Sequence, residues 1–304
     1  MVDVRLPVIV GPTAAGKSAL ALSIARATGA AIISADSRQI YRGFDIGTAK
    51  PTPNDMGEVP HVGIDVAAPC ERYSAARFAQ LARSAIADFR AQSRPVLVVG
   101  GTGFYVKALV EPLFLEPQLD RKRREMLGQY LSTLDTATLR RWCAEIDPAR
   151  SALGRTQLLR AIEVAFLTGE RLSDHFRRTP DIEAITPRYL IVDPGSTLHR
   201  AIERRTDAML EEGWLDEVRR LASAVPANAP AWRATGYELL RRYVVGDAGL
   251  DLARVREQVI AATRQYAKRQ RTWFRHQLRG DMLRLDPNET GAYDRTVAWW
   301  HGET

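Results

Sequence analysis

Hydrophobic runs and helical periods alternate along the first hundred residues. Three continuous apolar segments predict strands that are buried on both faces: Leu6–Val10, Ala31–Ala35 and Pro95–Val99. Apolar positions at helical spacing predict a helix over Ser18–Thr28 and another after the cap residue Ser74, and Gly100–Gly103 opens a third. The polar, glycine- and proline-rich stretch Asp36–Pro60 is typical of a long functional loop. This alternation predicts a parallel α/β sheet.

The pattern changes in the middle of the chain. Between Leu115 and Pro187 we find no convincing strand, and three segments have helical periods: Arg121–Leu131, Thr136–Ile146 and Thr156–Thr168. A strand returns at Arg188–Val192, a helix capped by Ser196 follows it, and the C-terminal third is helical and basic. The sequence therefore predicts an α/β core formed by residues 1–114 and 188–304, with an all-helical insertion domain at 115–187.

Composition excludes several classes of protein. The 304 residues are 45% hydrophobic and 26% charged, as in an ordinary globular domain, and no stretch approaches the ~18 apolar residues of a membrane span. The apolar run Leu6–Val10 is too short for a signal peptide. Cys70 and Cys143 form neither a metal-ligand spacing nor a disulfide framework, so we expect a cytoplasmic protein without a membrane partner.

The segment after the first strand fits the pattern G-x-x-x-x-G-K-[ST]. It consists of Gly11, Pro12, Thr13, Ala14, Ala15, Gly16, Lys17 and Ser18. Because it follows a strand and opens a helix, it predicts a P-loop, whose backbone N–H groups and helix N-terminus bind phosphate. Lys17 adds a cation, and the Ser18 hydroxyl is a ligand for Mg²⁺. The predicted fold is a P-loop NTPase-like parallel sheet flanked by helices.

The carboxylate that accompanies a P-loop stands at an unusual place. A P-loop ATPase usually holds Mg²⁺ with an acid at the end of a later strand, but here Gly100-Gly101-Thr102 follows that strand. Asp36 stands after the second strand instead, where the carboxyl ends of strands face the ligand crevice. A carboxylate there can hold Mg²⁺ through water or accept a proton from a nucleophile. The alternative is an aspartate that only caps its loop.

A stripe of cations marks the C-terminal region, in a chain whose 43 basic and 36 acidic residues give a net charge of +7. Arg264, Lys268, Arg271, Arg275 and Arg279 fall within roughly 80° of arc on a helix. No acid occurs between Ala261 and Arg279. A cationic stripe without balancing acids fits a nucleic-acid backbone, and the alternative is a solvated helix face. A second basic patch begins at Arg121–Arg124.

Together these motifs resemble the bacterial tRNA dimethylallyltransferase (tRNA isopentenyltransferase) family over nearly the whole chain. The P-loop and the following segments carry the resemblance: Ile33–Tyr41, Asp45–Pro51, Pro60-His61, Tyr73–Ala76, Gly100–Tyr105, Arg160–Val164, Gly236-Tyr237 and Thr263–Gln270. The resemblance implies transfer of a dimethylallyl group from dimethylallyl diphosphate to N6 of the adenosine 3′ of the anticodon, which gives N6-isopentenyladenosine. Its implied partners are the anticodon stem-loop of tRNA and the diphosphate donor. We expect Mg²⁺ as cofactor and a monomeric enzyme.

The resemblance also implies roles for residues at matching positions. By this resemblance, Asp36 is expected to act as the base for the N6 amine, and Thr102 is expected to lie near the reacting centre. Thr13–Ser18 match the segment that holds the diphosphate in the family. The segments that resemble tRNA-contacting segments comprise Asp36, Ser37, Arg38, Gln39, Thr102, Arg123, Thr156, Gln157, Leu158, Leu159, Arg160, Arg233, Ala234, Thr235, Gly236, Tyr237, Glu238, Lys268, Arg269, Gln270, Arg271, Thr272, Trp273, Phe274 and Arg275. One departure is visible, since Ala149–Leu159 is shorter than in the family and lacks its Asn-Asp pair.

Two other functions fit parts of the sequence. A nucleoside or nucleotide kinase would use ATP as donor and Asp36 to deprotonate a hydroxyl, but the basic helix and the insertion favour a macromolecular acceptor. An RNA-binding NTPase switch would hydrolyse nucleotide when RNA binds. The missing acid after Val99 argues against that hydrolysis.

Overall fold

A computed structural model describes residues 5–111, 119–177, 184–246 and 251–303. Within these residues the strands are β1 (Leu6–Val10), β2 (Ala31–Ser34), β3 (His61–Val62), β4 (Val96–Gly100), β5 (Pro187–Val192) and β6 (Asp281–Leu285). The helices are α1 (Lys17–Thr28), α2 (Pro53–Glu58), α3 (Ala75–Ala91), α4 (Gly103–Val110), α5 (Arg121–Thr133), α6 (Thr136–Ile146), α7 (Arg155–Thr168), α8 (Leu172–Arg177), α9 (Leu198–Glu211), α10 (Trp214–Ala224), α11 (Tyr237–Val244), α12 (Leu252–Gln277) and α13 (Ala292–His301).

The chain divides into two compact units. Unit 1 comprises Met1–Val110 and Ile185–Thr304 and contains the sheet, whereas unit 2 comprises Glu111–Ala184 and contains α5 to α8. The core of unit 2 is formed by apolar side chains from α5, α6, α7 and α8, including Leu139, Leu158 and Ile162. No helix in the described parts of the chain is long and apolar enough to cross a membrane.

The sheet of unit 1 is parallel throughout, with the strand order β3-β2-β4-β1-β5-β6. β1 lies between β4 and β5, and Val8 pairs with Val98 on one side and with Tyr189 on the other. Because all strands run the same way, the segments after β1, β2 and β4 meet at the carboxyl-terminal end of the sheet. The predicted parallel α/β fold is therefore confirmed, and this end of the sheet carries the P-loop, Asp36 and Thr102.

The structure corrects three predictions of local structure. The stretch Asp36–Pro60 contains the short helix α2, and the C-terminal third contains β6 in addition to helices. β6 was missed because it is an edge strand with several exposed positions, so it has no continuous apolar run. Ser196 is not a helix cap. It lies within a 3₁₀ turn, Gly195–Thr197, and α9 begins after it without a side-chain cap.

Candidate functional site

The P-loop takes its shape from a close approach between two strand ends. Gly11 has φ of +153°, and a β-carbon at this position would lie 2.1 Å from the carbonyl oxygen of Val192. A side chain is therefore excluded there, and the chain turns directly from β1 into the loop. The Lys17 Nζ donates a hydrogen bond of 2.7 Å to the carbonyl oxygen of Pro12, which folds the ammonium back over the loop.

Two cations converge on the P-loop. The Arg205 guanidinium, from α9, donates a hydrogen bond of 3.1 Å to the Thr13 hydroxyl. The pKa of Lys17 is lowered to about 8, mainly by desolvation and then by the nearby Arg205 cation, whereas the Asp36 charge acts in the opposite direction. Desolvation also lowers the pKa of Arg205. A site that brings two partly buried cations together can bind an anion with more than one negative charge. Arg205 was not predicted as a site residue, because no local motif marks it.

Asp36 lies in the same cavity as Lys17 and Arg205. Its Oδ1 accepts the backbone N–H of Arg38 at 2.8 Å, so the aspartate stabilises the turn that leaves β2. This hydrogen bond is the loop-capping role considered as the alternative, and it coexists with exposure of the carboxylate to the cavity. The structure thus brings a carboxylate next to the P-loop.

Thr102 anchors the start of α4 to the loop that carries Asp36. Its hydroxyl accepts the backbone N–H of Ser37 at 2.9 Å and donates to the Ser37 hydroxyl at 3.2 Å. Tyr266 of α12 lines the cavity beside this pair. Desolvation, followed by the Asp36 charge, raises the pKa of Tyr266 to about 12, whereas a hydrogen bond with Thr102 lowers it. The phenol therefore stays protonated, and Tyr266 is a second site residue that the sequence did not reveal.

Gln270 joins the P-loop to the loop after β4. Its side chain is 6% exposed, its Oε1 accepts the backbone N–H of Thr13 at 2.8 Å, and its Nε2 donates to the carbonyl oxygen of Gly101 at 2.8 Å. Gln270 belongs to a segment that resembles tRNA-contacting sequence. In this structure both ends of its amide are already bound within the protein, so its observed role is to hold the two loops together.

These residues enclose a cavity of about 370 Å³. That volume lies in the range of small-molecule binding sites, ~300–1,000 Å³. Thr13, Lys17, Ser18, Asp36 and Arg205 line its polar part. The two cations and the N-terminus of α1 can bind a diphosphate. The Asp36 carboxylate can accept a proton from a second substrate.

Comparison with known proteins identifies the family of this site. A sequence profile described as IPP transferase matches residues 39–277. The chain belongs to the IPP transferase family. The tRNA dimethylallyltransferase of Halorhodospira halophila is 42% identical over 288 residues, which cover 91% of this chain and 92% of the relative. The enzyme of the same name from Acaryochloris marina is 40% identical over 277 residues, 89% of each chain.

Solved structures agree with this assignment. A tRNA isopentenylpyrophosphate transferase from Bacillus halodurans matches 99% of this chain and 95% of its own with 31% identity and a TM-score of 0.69. A eukaryotic dimethylallyltransferase described as acting on tRNA matches 97% of this chain and 78% of its own, with 26% identity and a TM-score of 0.81. The P-loop α/β fold is therefore shared with IPP transferases.

The predicted tRNA-contacting residues of this IPP transferase differ in accessibility. Several are exposed: Arg123, Thr156, Gln157, Arg233, Glu238, Lys268, Arg269, Thr272 and Arg275. Others are buried: Gln39, Leu158, Ala234, Gly236, Tyr237, Gln270 and Phe274. The rest are partly buried: Asp36, Ser37, Arg38, Thr102, Leu159, Arg160, Thr235, Arg271 and Trp273. A buried apolar side chain such as Leu158 or Phe274 belongs to the core, so the exposed and partly buried members are the ones that can meet RNA.

Tyr237 is a buried residue of this IPP transferase that connects α10 to the loop before α2 through hydrogen bonds. Its hydroxyl donates to Glu217 Oε1 at 2.5 Å and accepts the backbone N–H of Gly47 at 3.0 Å. Glu217 Oε2 also accepts the backbone N–H groups of Asp45 and Ile46 at 3.1 and 2.9 Å. Burial, together with the adjacent Glu217 carboxylate, raises the pKa of Tyr237. These hydrogen bonds fix the loop that forms one wall of the cavity.

The expected stripe of unbalanced cations on α12 is corrected by the structure. Arg264 pairs with Glu203 of α9, and Arg271 pairs with Asp193, which follows β5. The sequence contains no acid within this part of the helix, but the balancing acids come from other elements. Lys268 and Arg275 on α12 are exposed, and so is Arg279, which lies beyond the end of the helix at Gln277 and so is not part of the helical stripe. We find no ion pair for these three residues among those that the structure describes.

Proposed function

We propose that this enzyme transfers a dimethylallyl group from dimethylallyl diphosphate to N6 of the adenosine 3′ of the anticodon in tRNA. The observation that carries the proposal is one cavity in which Lys17 and Arg205 stand at the P-loop with Asp36 beside them. The names of relatives that are about 40% identical over most of the chain support it. We also propose a monomeric enzyme, because one chain supplies the P-loop, Arg205 and Asp36, and a second copy is not needed to complete the site.

In the proposed reaction, the bond between C1 of the dimethylallyl group and the bridging oxygen breaks, and its electron pair leaves on diphosphate. The lone pair of N6 forms the new bond to C1, and Asp36 accepts the proton that N6 loses. Lys17, Arg205 and the helix N-terminus stabilise the charge that develops on diphosphate. Because Asp36 is partly buried in the cavity, the adenine has to leave the stack of the anticodon loop to reach it.

Mg²⁺ fits the donor set of this cavity as part of the proposal. The described residues contain no group of three His, Cys, Asp or Glu side chains that could hold a metal alone. Protein-bound Mg²⁺ commonly uses one or two protein oxygens and substrate phosphates. The Ser18 hydroxyl would supply the protein oxygen, and the diphosphate would supply the anionic ones. When bound, Mg²⁺ would neutralise part of the diphosphate charge.

The deciding experiment is mass spectrometry of tRNA nucleosides after incubation of the enzyme with dimethylallyl diphosphate and unmodified tRNA. We expect N6-isopentenyladenosine at the position 3′ of the anticodon. Parallel incubations replace the donor by γ-labelled ATP and the acceptor by free nucleosides. Label transfer from ATP, with no prenylated adenosine, would instead establish the kinase alternative.

Donor binding should weaken at alkaline pH. Lys17, with its pKa lowered to about 8, carries its charge below that pH and loses it above. We therefore expect the affinity for dimethylallyl diphosphate to fall as pH rises from ~7.5 to ~9.5. Because a single group loses its proton, log affinity should fall by at most about one for each unit of pH. Isothermal titration calorimetry across this range measures it. The Lys17→Arg variant, whose guanidinium stays charged, should show a flatter profile, and an equally steep decline would assign the titration to another group.

The exposed cations of α12 should contribute to tRNA affinity through phosphate contacts. Each phosphate contact adds roughly 0.7–0.9 to the slope of log affinity against log salt. We expect the double variant Lys268→Glu, Arg275→Glu to bind tRNA more weakly, regardless of tRNA sequence, and with a shallower salt dependence. Filter binding at several salt concentrations measures both quantities, and donor affinity should not change.

A matched control changes the net charge by the same amount elsewhere. Arg90 at the end of α3 and Arg94 before β4 lie at the amino-terminal end of the strands, opposite to the P-loop. The double variant Arg90→Glu, Arg94→Glu should retain the tRNA affinity and salt slope of the unmodified enzyme. If both double variants lose affinity equally, net charge alone explains the effect and α12 is not the RNA surface.

A further inference from the structure

The cavity changes from polar to apolar along the helices that line it. On α12, Val259, Thr263, Tyr266 and Gln270 share one face and all line the cavity. Gln270 forms a hydrogen bond with the P-loop, and Tyr266 forms one with Thr102. Val259 lies about 16 Å from Gln270 along the helix axis. One helix face therefore passes from the phosphate site, through the reacting centre, to an apolar end.

Three buried side chains close the apolar end. Met209, Trp214 and Val259 are 7%, 1% and 2% exposed and come from α9, α10 and α12. The Trp214 ring packs between two glycines, since a β-carbon at Gly47 or Gly236 would lie 2.2 or 2.3 Å from ring atoms. Val259 touches the same glycine, 3.1 Å from the β-carbon position of Gly236. These contacts make this part of the lining a tightly packed wall.

The remaining part of the cavity does not suit a hydrocarbon chain. It is lined by Lys50, Asp55 and His61 next to apolar side chains. An allyl chain placed there would displace water from charged groups without replacing their hydrogen bonds. The apolar end offers hydrocarbon contacts instead, which favour a prenyl group by the area that they remove from water.

Helix α9 sets the distance between the phosphate site and this wall. Arg205, which binds the P-loop at Thr13, and Met209 are one helical turn apart on the same face, about 6 Å along the axis. A donor whose diphosphate contacts Arg205 therefore has room for a short chain before it meets Met209 and Trp214.

We propose that Met209, Trp214 and Val259 form the end wall of the prenyl pocket and restrict the donor to a single isoprene unit. The proposal rests on the proposed function, because it assumes that the cavity binds a prenyl diphosphate. A geranyl chain, which carries a second isoprene unit, is excluded by the closed wall. Removing side-chain volume from the wall should admit it.

The test compares dimethylallyl and geranyl diphosphate as donors to unmodified tRNA, with product nucleosides measured by mass spectrometry. For Met209→Ala we expect the ratio of kcat/KM for geranyl over dimethylallyl diphosphate to rise at least ~10-fold, the scale of discrimination that hydrophobic pockets achieve. Val259→Ala is a second variant, which removes less volume and should shift the ratio in the same direction. Circular dichroism and thermal melting establish that each variant is folded.

Ile260 provides the matched control. It neighbours Val259 on α12 and is also buried, but it packs against Leu198 and Ile202 in the core and does not line the cavity. Ile260→Val should leave the donor ratio unchanged. Folded Met209→Ala and Val259→Ala enzymes with the unchanged ratio would overturn the proposal, as would an unmodified enzyme that already uses both donors equally. An unmodified enzyme that prenylates no tRNA would instead overturn the proposed function.

Discussion

Replacing Asp36 by asparagine is expected to slow dimethylallyl transfer by ~10²–10⁴-fold, the usual effect of losing a general base. The amide keeps the size of the carboxylate, and its Oδ1 can still accept the Arg38 N–H that shapes the turn. It cannot accept the proton from N6. Single-turnover kinetics with saturating tRNA and donor measure the rate, and binding assays for each substrate should give values near those of the unmodified enzyme.

Asp88→Asn is the matched control for this prediction. Asp88 is exposed on α3, outside the cavity, so its variant should react at the normal rate. A loss of less than tenfold for Asp36→Asn would mean that the proton leaves N6 by another route. A large loss of tRNA affinity would instead assign Asp36 a binding role.

Lys17→Ala should reduce kcat/KM for dimethylallyl diphosphate by ~10²–10³-fold, since the ammonium faces diphosphate before and during its departure. The effect should appear in donor KM and in kcat, because negative charge grows on diphosphate as the bond to C1 breaks. Arg205 remains in the variant and retains part of the stabilisation. Steady-state kinetics with varied donor concentration measure both parameters, and tRNA affinity should change little.

Arg90→Ala removes one positive charge outside the cavity and serves as the comparison for Lys17→Ala. It should leave both kinetic parameters unchanged. If Lys17→Ala retains normal donor affinity and rate, the P-loop does not bind diphosphate and the mechanism proposed above is wrong.

The elements around the P-loop could be predicted because their signals are local. A continuous apolar run, a glycine-rich turn and a lysine at the helix start lie next to each other in sequence, so β1 and α1 emerge at almost their true limits. Asp36 could be assigned to the same end of the sheet, because the carboxyl ends of parallel strands lie side by side. By contrast, β3 and β6 form the two edges of the sheet, where a short or half-exposed strand has no distinctive pattern.

Contacts between distant segments could not be predicted. Arg205 stands 192 residues from its partner Thr13, and Gln270 stands 257 residues from the same residue. Nothing in the local pattern around either residue indicates a contact with the P-loop. The acids that neutralise Arg264 and Arg271 were missed for the same reason, because a search along one helix cannot find Glu203 or Asp193.

In the proposed function, Gln270 connects the donor site directly to the RNA surface proposed on α12. The turn of α12 that presents Lys268 to solvent also presents the Gln270 amide to the P-loop backbone at Thr13 and to the carbonyl of Gly101. If RNA docks here as proposed, any shift of this turn would alter the position of the loop proposed to bind diphosphate. Thermodynamic linkage then makes the effect reciprocal, so that the factor by which tRNA changes donor affinity equals the factor by which donor changes tRNA affinity.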